Sequence, residues 1–236
     1  TWGMYPQWVN FRNSGITING GLLEWWENSY IILRQLNDFI SRVPAAPIAE
    51  SSKKRLLAEA RFLRAFNYFS MVKRYGGVPL ITKAQELTDP ENELYPQRNS
   101  EKEVYDFVIN EMDEVYNDLP TVPVSGRASK YAALALLSRA ALYAGSIAEY
   151  GTVQLNGLLG IPPGQAQEYY QKSYNASKII MDDGVCGLYD QDADRAKNFR
   201  NIFLVKNNKE AIFIVSHNDK DMIFASGNGW YYDFMQ

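Results

Sequence analysis

Hydrophobic residues recur at steps of three and four along most of the chain between residues 22 and 183, which predicts a series of amphipathic helices. Breaks rich in proline and glycine separate these helices, because both residues are unfavourable in helix interiors. One long break, Val78–Arg98, contains three prolines and is predicted to be a surface loop. The predicted helices are Leu22–Arg42, Glu50–Tyr75, a stretch from Asn99 or Ser100 to Pro120, Ser129–Tyr150 and Gln165–Asp182.

The pattern changes beyond Gly184. Phe199–Val205 is predicted to form a short helix, and the apolar run Ala211–Val215 is predicted to form a short strand. The sequence therefore predicts a mostly α fold with irregular loops and a short strand near the C-terminus. It also predicts three regions: an N-terminal loop region at residues 1–21, a helical region at 22–205, and the start of a less regular region at 206–236.

Two alternate helices share a small-large-small pattern of side chains. The pattern is formed by Ala58, Phe62 and Ala65 in the second helix and by Ala133, Leu137 and Ala140 in the fourth. Small residues at this spacing let the two helices of an antiparallel pair approach closely, as they do in tetratricopeptide repeats. Any well-packed helical hairpin could carry the same spacing, but its recurrence favours a tetratricopeptide-like array of helical hairpins.

Composition excludes several classes of function. The net charge of −3, from 24 basic and 27 acidic residues, argues against a nucleic-acid partner, which would require a basic surface. With Cys186 as the one cysteine and His217 as the one histidine, the chain can form neither an internal disulfide nor a cysteine–histidine metal cluster. The longest uninterrupted apolar run, Tyr131–Leu137, is far shorter than the ~20 residues of a membrane-spanning helix. Aromatic residues make up 14% of the chain, more than a core of this size needs.

The two ends of the chain lack the features expected of a complete gene product. Residues 1–3 begin neither the basic segment nor the apolar segment of a signal peptide. Residues 230–236 are mostly aromatic or apolar and break off without a polar tail. The chain is therefore interpreted as an excerpt from a longer mature protein.

A long motif in the second predicted helix resembles the signature helix of the SusD/RagB family. The motif runs from Arg55 to Phe69 and continues through Val72–Leu80. Three flanking segments, Trp25–Val43, Gly126–Tyr143 and residues 207–215, are similar to neighbouring parts of the same family. The resemblance covers nearly the whole chain, but it corresponds only to the N-terminal, helical-repeat part of the family's full length.

The resemblance implies a nutrient-binding lipoprotein of the Bacteroidetes that is exposed at the surface of the outer membrane. Such a protein binds an oligosaccharide or a peptide and passes it to a SusC-like TonB-dependent transporter. Its contact with the membrane is a lipid anchor, which this chain does not contain. The resemblance also implies a binding protein rather than an enzyme, with no cofactor.

Two segments of the chain have the residues needed to recognise a sugar. The C–H faces of a sugar stack on aromatic rings while its hydroxyls bond to polar side chains, so both kinds of residue must lie together. The candidate ligand-binding residues are Trp2, Tyr5, Trp8, Asn10, Arg12 and Asn13 before the first helix, and Asn228, Trp230, Tyr231 and Tyr232 after the predicted strand. The same aromatics could instead cover the ends of the helical array.

Other conspicuous residues are predicted to have structural roles. Trp25 and Trp26 are adjacent at the start of a helix and point about 100° apart, so one can be buried while the other lies at an edge. Glu59, Arg61 and Arg64 lie among apolar residues of the second helix. Because an unpaired charge near a core is costly, we expect these three residues to form ion pairs with neighbouring helices.

The acidic residues do not point to a metal site or to catalysis. Asp190, Asp192 and Asp194 lack the glycine and the closing glutamate of a calcium-binding loop. Nor does the sequence indicate two carboxylates facing each other across a cleft, as glycoside hydrolysis requires. Two alternatives stay open: a peptide-binding member of the same family, and an intracellular helical-repeat scaffold for protein–protein interaction. A signal peptide ending in a lipobox cysteine, encoded upstream, would exclude the scaffold.

Overall fold

The computed structural model describes residues 24–214, and within this range the chain forms seven α-helices. We number them α1–α7: Trp26–Arg42, Glu50–Tyr75, Glu91–Leu94, Glu101–Val115, Lys130–Tyr150, Ala166–Asp183 and Arg195–Leu204. The mostly α fold and the five long helices predicted from the sequence are confirmed. The predicted start of the first helix at Leu22 lies outside the described residues.

Side-chain caps explain where three of the helices begin. The Ser100 hydroxyl accepts a hydrogen bond from the Glu103 backbone N–H, and the Glu103 carboxylate accepts one from the Ser100 backbone N–H at 2.7 Å. This reciprocal pair satisfies two backbone donors at the start of α4. Ser129 caps α5 in a similar way, through the backbone N–H of Ala132. Asp194 caps α7, which therefore begins several residues before the predicted Phe199.

The structure differs from the sequence prediction in the loop Val78–Arg98 and at residues 211–214. The predicted surface loop Val78–Arg98 contains one helical turn, α3, whose four residues are too few to show a hydrophobic period. Residues 211–214 form bends rather than a strand, and Val215 lies outside the described residues. The predicted short strand is therefore not confirmed.

The five long helices pack one on the next along the chain. Helix α1 packs on α2, α2 on α4, and α4 on α5, while α5 makes its most extensive contact with α6. The small-large-small residues of both helices are buried in the common core: Ala58, Phe62, Ala65, Ala133, Leu137 and Ala140. The predicted helical-hairpin array is confirmed, because these residues lie where neighbouring helices approach each other.

Helix α5 is the one helix of residues 24–214 that is long and apolar enough to cross a membrane by length and composition. Ser138 and Arg139 divide its sequence, so its longest uninterrupted apolar run is only Tyr131–Leu137. In the fold, 61% of its most apolar 18-residue window is buried against the other helices. Its hydrophobicity therefore corresponds to its central place in the helical array.

The end of α2 leads directly into the segment that forms the candidate site. Gly76 has a φ of +66°, which ends the helix in a conformation that L side chains rarely adopt. At Gly77, a Cβ atom would lie 2.1 Å from the Asn99 carbonyl oxygen, so this position has no room for a side chain. Arg98 fastens the turn through its Nε, which donates to the Gly77 carbonyl at 2.7 Å.

Candidate ligand-binding groove

A groove of about 480 Å³ runs between the N-terminal half of α1 and the irregular segment 81–85. We call it the α1 groove. One wall is a helix face and the other is irregular chain that has returned from the end of α2. The lining residues are Trp26, Glu27, Tyr30, Ile31, Leu33, Arg34, Ile81, Lys83 and Gln85.

Aromatic rings form one end of the α1 groove. The Trp26 ring lies 5.3 Å from the Tyr30 ring and 5.2 Å from the Tyr75 ring, with the second pair packed edge to face. Trp26 is partly buried against the core, whereas Trp25 stays 38% exposed beneath the Arg74 guanidinium. This confirms the prediction that one of the two adjacent tryptophans packs inward while the other lies at an edge.

Charged and polar groups surround this aromatic end. Glu27, Arg34 and Lys83 line the groove and are exposed, and Gln85 is half-buried. The Arg34 Nη1 donates to the Gln85 carbonyl oxygen at 2.6 Å, which ties the two walls together. The groove thus combines ring surfaces with hydrogen-bonding groups, as recognition of a sugar requires.

Tyr30, which lines the groove, and Tyr68, which is buried in the core, act as neutral hydrogen-bond donors. Burial raises the pKa of Tyr30 and of Tyr68 well above the ordinary range, so both phenols stay protonated at physiological pH. The Tyr30 hydroxyl donates to the Pro79 carbonyl at 2.9 Å, and the Tyr68 hydroxyl donates to the Ile81 carbonyl at 3.0 Å. Both bonds fix the backbone of the irregular wall.

Arg61 and Arg64 of α2 form ion pairs with a neighbouring helix, as predicted, whereas Glu59 pairs with a loop residue. Arg64 donates to the Glu111 carboxylate at 2.9 Å, and Arg61 donates to the same carboxylate at 2.6 Å. Glu59 pairs with Arg127 from the loop before α5. These contacts connect α2 to α4 and to the loop before α5, so the three residues have structural roles.

The acidic series near α7 also has structural partners. Asp194 caps the helix, and Asp192 pairs with Lys197. Asp190 accepts a hydrogen bond from the Asn198 amide at 2.9 Å. Among residues 24–214, no group of three or more acidic, histidine or cysteine side chains is arranged to hold a metal ion.

A second cavity, of about 390 Å³, lies where the described part of the chain ends. It is bounded by loop residues 123–127, by Val185 and Cys186, and by residues 207–214. Burial raises the pKa of the Cys186 thiol, so this cysteine stays protonated and weakly nucleophilic at neutral pH.

The residues predicted from the sequence to bind ligand all lie outside the described residues. They are Trp2, Tyr5, Trp8, Asn10, Arg12, Asn13, Asn228, Trp230, Tyr231 and Tyr232, and His217 lies outside them as well. Tyr30, Arg34, Lys83 and Gln85, which line the α1 groove, are not among the residues predicted from the sequence. The adjacent tryptophans Trp25 and Trp26 are the one sequence signal near this groove, and the opposite wall comes from a distant part of the chain.

Comparison with known proteins identifies the family. A family model described as SusD-like, starch-binding and associating with the outer membrane matches residues 5–142. The chain belongs to this SusD-like family. The predicted membership is thereby confirmed, and the family's description as a binding family agrees with the prediction of a binding protein rather than an enzyme.

Individual SusD-like proteins extend the match. A SusD-like protein of Bacteroides ovatus is 33% identical over 138 residues, which are 57% of this chain and 24% of that protein. A laminarin-binding SusD-like protein of solved structure is 26% identical with a TM-score of 0.61, over 95% of this chain and 43% of that one. A structure solved with a xylogluco-oligosaccharide is 25% identical with a TM-score of 0.62, over 90% of this chain and 38% of that one. The chain spans about a quarter of the length of the curated relatives it matches.

Proposed function

We propose that this SusD-like chain captures an oligosaccharide at the outer membrane and that the α1 groove forms part of its binding surface. The observation that carries the proposal is the placement of Trp26 and Tyr30 beside Arg34 and Lys83 in one groove. Two similar structures support a sugar ligand, since one is of a laminarin-binding protein and the other was solved with a xylogluco-oligosaccharide.

Binding in the groove follows from the chemistry of its two walls. The apolar face of a sugar ring packs against the rings of Trp26 and Tyr30, and its burial supplies most of the affinity. The hydroxyls at the edge of the sugar bond to Glu27 and Arg34 on the helix and to Lys83 on the opposite wall. Charge-assisted hydrogen bonds of this kind set the orientation of the sugar, and no bond in the ligand is broken.

The captured oligosaccharide is then passed to a SusC-like TonB-dependent transporter, and a lipid anchor holds the complete protein at the cell surface. The family's association with the outer membrane supports this part of the proposal. Its test is to express the complete gene and fractionate the cells. The proposal expects a lipid-labelled product in the outer membrane that co-purifies with the transporter, whereas a cytosolic product would contradict it.

Replacing Trp26 with alanine is expected to weaken oligosaccharide binding about tenfold, which corresponds to ~1.4 kcal/mol. The physical reason is the loss of the largest ring surface in the groove. Binding of laminarin and of xyloglucan oligosaccharides is measured by isothermal titration calorimetry. Phe39→Ala is the matched control, because Phe39 is an exposed aromatic residue of the same helix outside the groove. Equal affinities of the two variants would remove the α1 groove from the binding surface.

The two predicted aromatic clusters are part of the same proposal and have their own test. We expect Trp2→Ala and Trp230→Ala each to weaken binding of at least one glycan in an affinity-gel panel, since each removes a stacking surface. The parent protein and Phe39→Ala are run on the same gels. If neither tryptophan affects any detected interaction, the two clusters are not ligand contacts, although the family membership would be unchanged.

A further inference from the structure

The irregular wall of the α1 groove is held by side chains rather than by a β-ladder. Residues 81–85 belong to neither a helix nor a strand. Nevertheless the backbone N–H and carbonyl of Ile81, and the carbonyls of Thr82, Lys83 and Gln85, all bond to side chains of α1 and α2. The position of this wall therefore depends on a few specific side chains, since buried backbone groups must find partners.

Asn37 lies at the centre of these contacts. It is 2% exposed and belongs to the buried face of α1. Its Nδ2 donates to the Ile81 carbonyl at 2.8 Å and to the Lys83 carbonyl at 3.3 Å. Tyr68 also bonds to both backbone groups of Ile81, but within residues 24–214 Asn37 is the one hydrogen-bond donor to the Lys83 carbonyl. Asn37 therefore controls the part of the wall that carries the Lys83 side chain.

Arg64 fixes the direction in which the Asn37 amide points. The Arg64 Nη1 donates to the Asn37 Oδ1 at 3.0 Å and to the Thr82 carbonyl at 3.1 Å. Because a guanidinium can donate hydrogen bonds but cannot accept them, the amide must turn its oxygen towards Arg64 and its NH₂ towards the wall. Arg64 is itself held from behind by the Glu111 carboxylate at 2.9 Å.

We infer that Asn37, oriented by Arg64, is a positioning residue that sets the separation of the two walls and thereby the affinity of the α1 groove for its ligand. The inference rests on the proposed function for its ligand, an oligosaccharide. Asn37 does not line the groove. It acts through the backbone of Lys83, whose carbonyl it holds, and so sets the distance between the irregular wall and Arg34 on the helix wall.

The variant Asn37→Asp tests this role with the smallest change of shape. Its carboxylate still accepts the Arg64 hydrogen bond, but it offers no donor to the carbonyls of Ile81 and Lys83 and faces them with negative charge. We expect hydrogen exchange of the backbone amides in segment 81–85 to become at least tenfold faster. We also expect the dissociation constant for laminarin, or for the xyloglucan oligosaccharide, to rise at least tenfold.

Asn67→Asp is the matched control. Asn67 is also buried, and its Nδ2 donates at 3.1 Å to a backbone carbonyl, but that carbonyl belongs to Ser29 inside helix α1 and not to the irregular wall. The control loses an equivalent hydrogen bond and should leave both the exchange of segment 81–85 and the glycan affinity within twofold of the parent protein. A general loss of stability would affect both variants alike.

The two measurements separate this inference from the proposed function. Faster exchange in segment 81–85 and weaker glycan binding, both confined to Asn37→Asp, support the positioning role. Exchange equal to that of Asn67→Asp overturns it, and so does faster exchange with unchanged affinity. The exchange measurement needs no ligand, so if no probe glycan binds the parent protein, the oligosaccharide proposal fails while the exchange still decides whether Asn37 holds the wall.

Discussion

Replacing Glu111 with leucine is expected to lower the free energy of unfolding by about 3–5 kcal/mol. The Glu111 side chain is 9% exposed and is the anionic partner of Arg64, whose side chain is 7% exposed. Without this carboxylate the Arg64 guanidinium stays buried with no opposite charge, and water cannot reach it to compensate. The free energy of unfolding is measured by urea denaturation of the variant and of the parent protein.

Two further variants show whether burial is the cause. Glu114 pairs with Arg61 in the same network, but its side chain is 64% exposed, so Glu114→Gln should lower stability by at most about 1 kcal/mol. Combining Glu111→Leu with Arg64→Met removes the buried cation as well and should recover part of the loss. If the double variant is less stable than Glu111→Leu alone, the hydrogen bonds of Arg64 outweigh its buried charge and the explanation is wrong.

The helices could be predicted from the sequence because their signals are local. The bounds of α2 agree with the prediction at both ends, since the hydrophobic period, Pro47 before it and Gly76 after it lie within one stretch of chain. The capping pair Ser100 and Glu103 likewise spans three residues. The ion pairs of α2 were predictable in kind, because a charge next to a core needs a partner, but the sequence did not name Glu111.

The groove could not be predicted because its two walls are far apart in the chain. Asn37 and Ile81 are 44 residues apart, and Arg34 and Gln85 are 51 residues apart. The wall itself comes from Val78–Arg98, which has no hydrophobic period and was predicted only as a surface loop. Its position depends on side-chain hydrogen bonds to backbone carbonyls, and these leave no regular pattern in a sequence.

The large residue of the small-large-small pattern in α2, Phe62, is expected to contribute strongly to the stability of the fold. Phe62→Ala is expected to lower the free energy of unfolding by about 3–5 kcal/mol, because Phe62 is 1% exposed and its loss leaves a cavity between helices that cannot close. Its ring stacks on Phe66 with centroids 6.0 Å apart and packs edge to face on Phe213 at 5.1 Å. Urea denaturation again gives the change in stability.

Phe66→Ala is the matched control for the repeat pattern. Phe66 lies one turn further along α2 and also contacts Phe213, but it is 41% exposed and is not part of the small-large-small pattern. Because its ring already meets water on one side, we expect its removal to lower stability by only about 1 kcal/mol. If the pattern marks the helix contact, Phe62→Ala must lower the free energy of unfolding by at least about 2 kcal/mol more than Phe66→Ala does. A difference of this size lies within the range measured for core substitutions. Equal losses would mean that Phe213 and its neighbours, rather than the antiparallel helix pairing, hold this end of the array together.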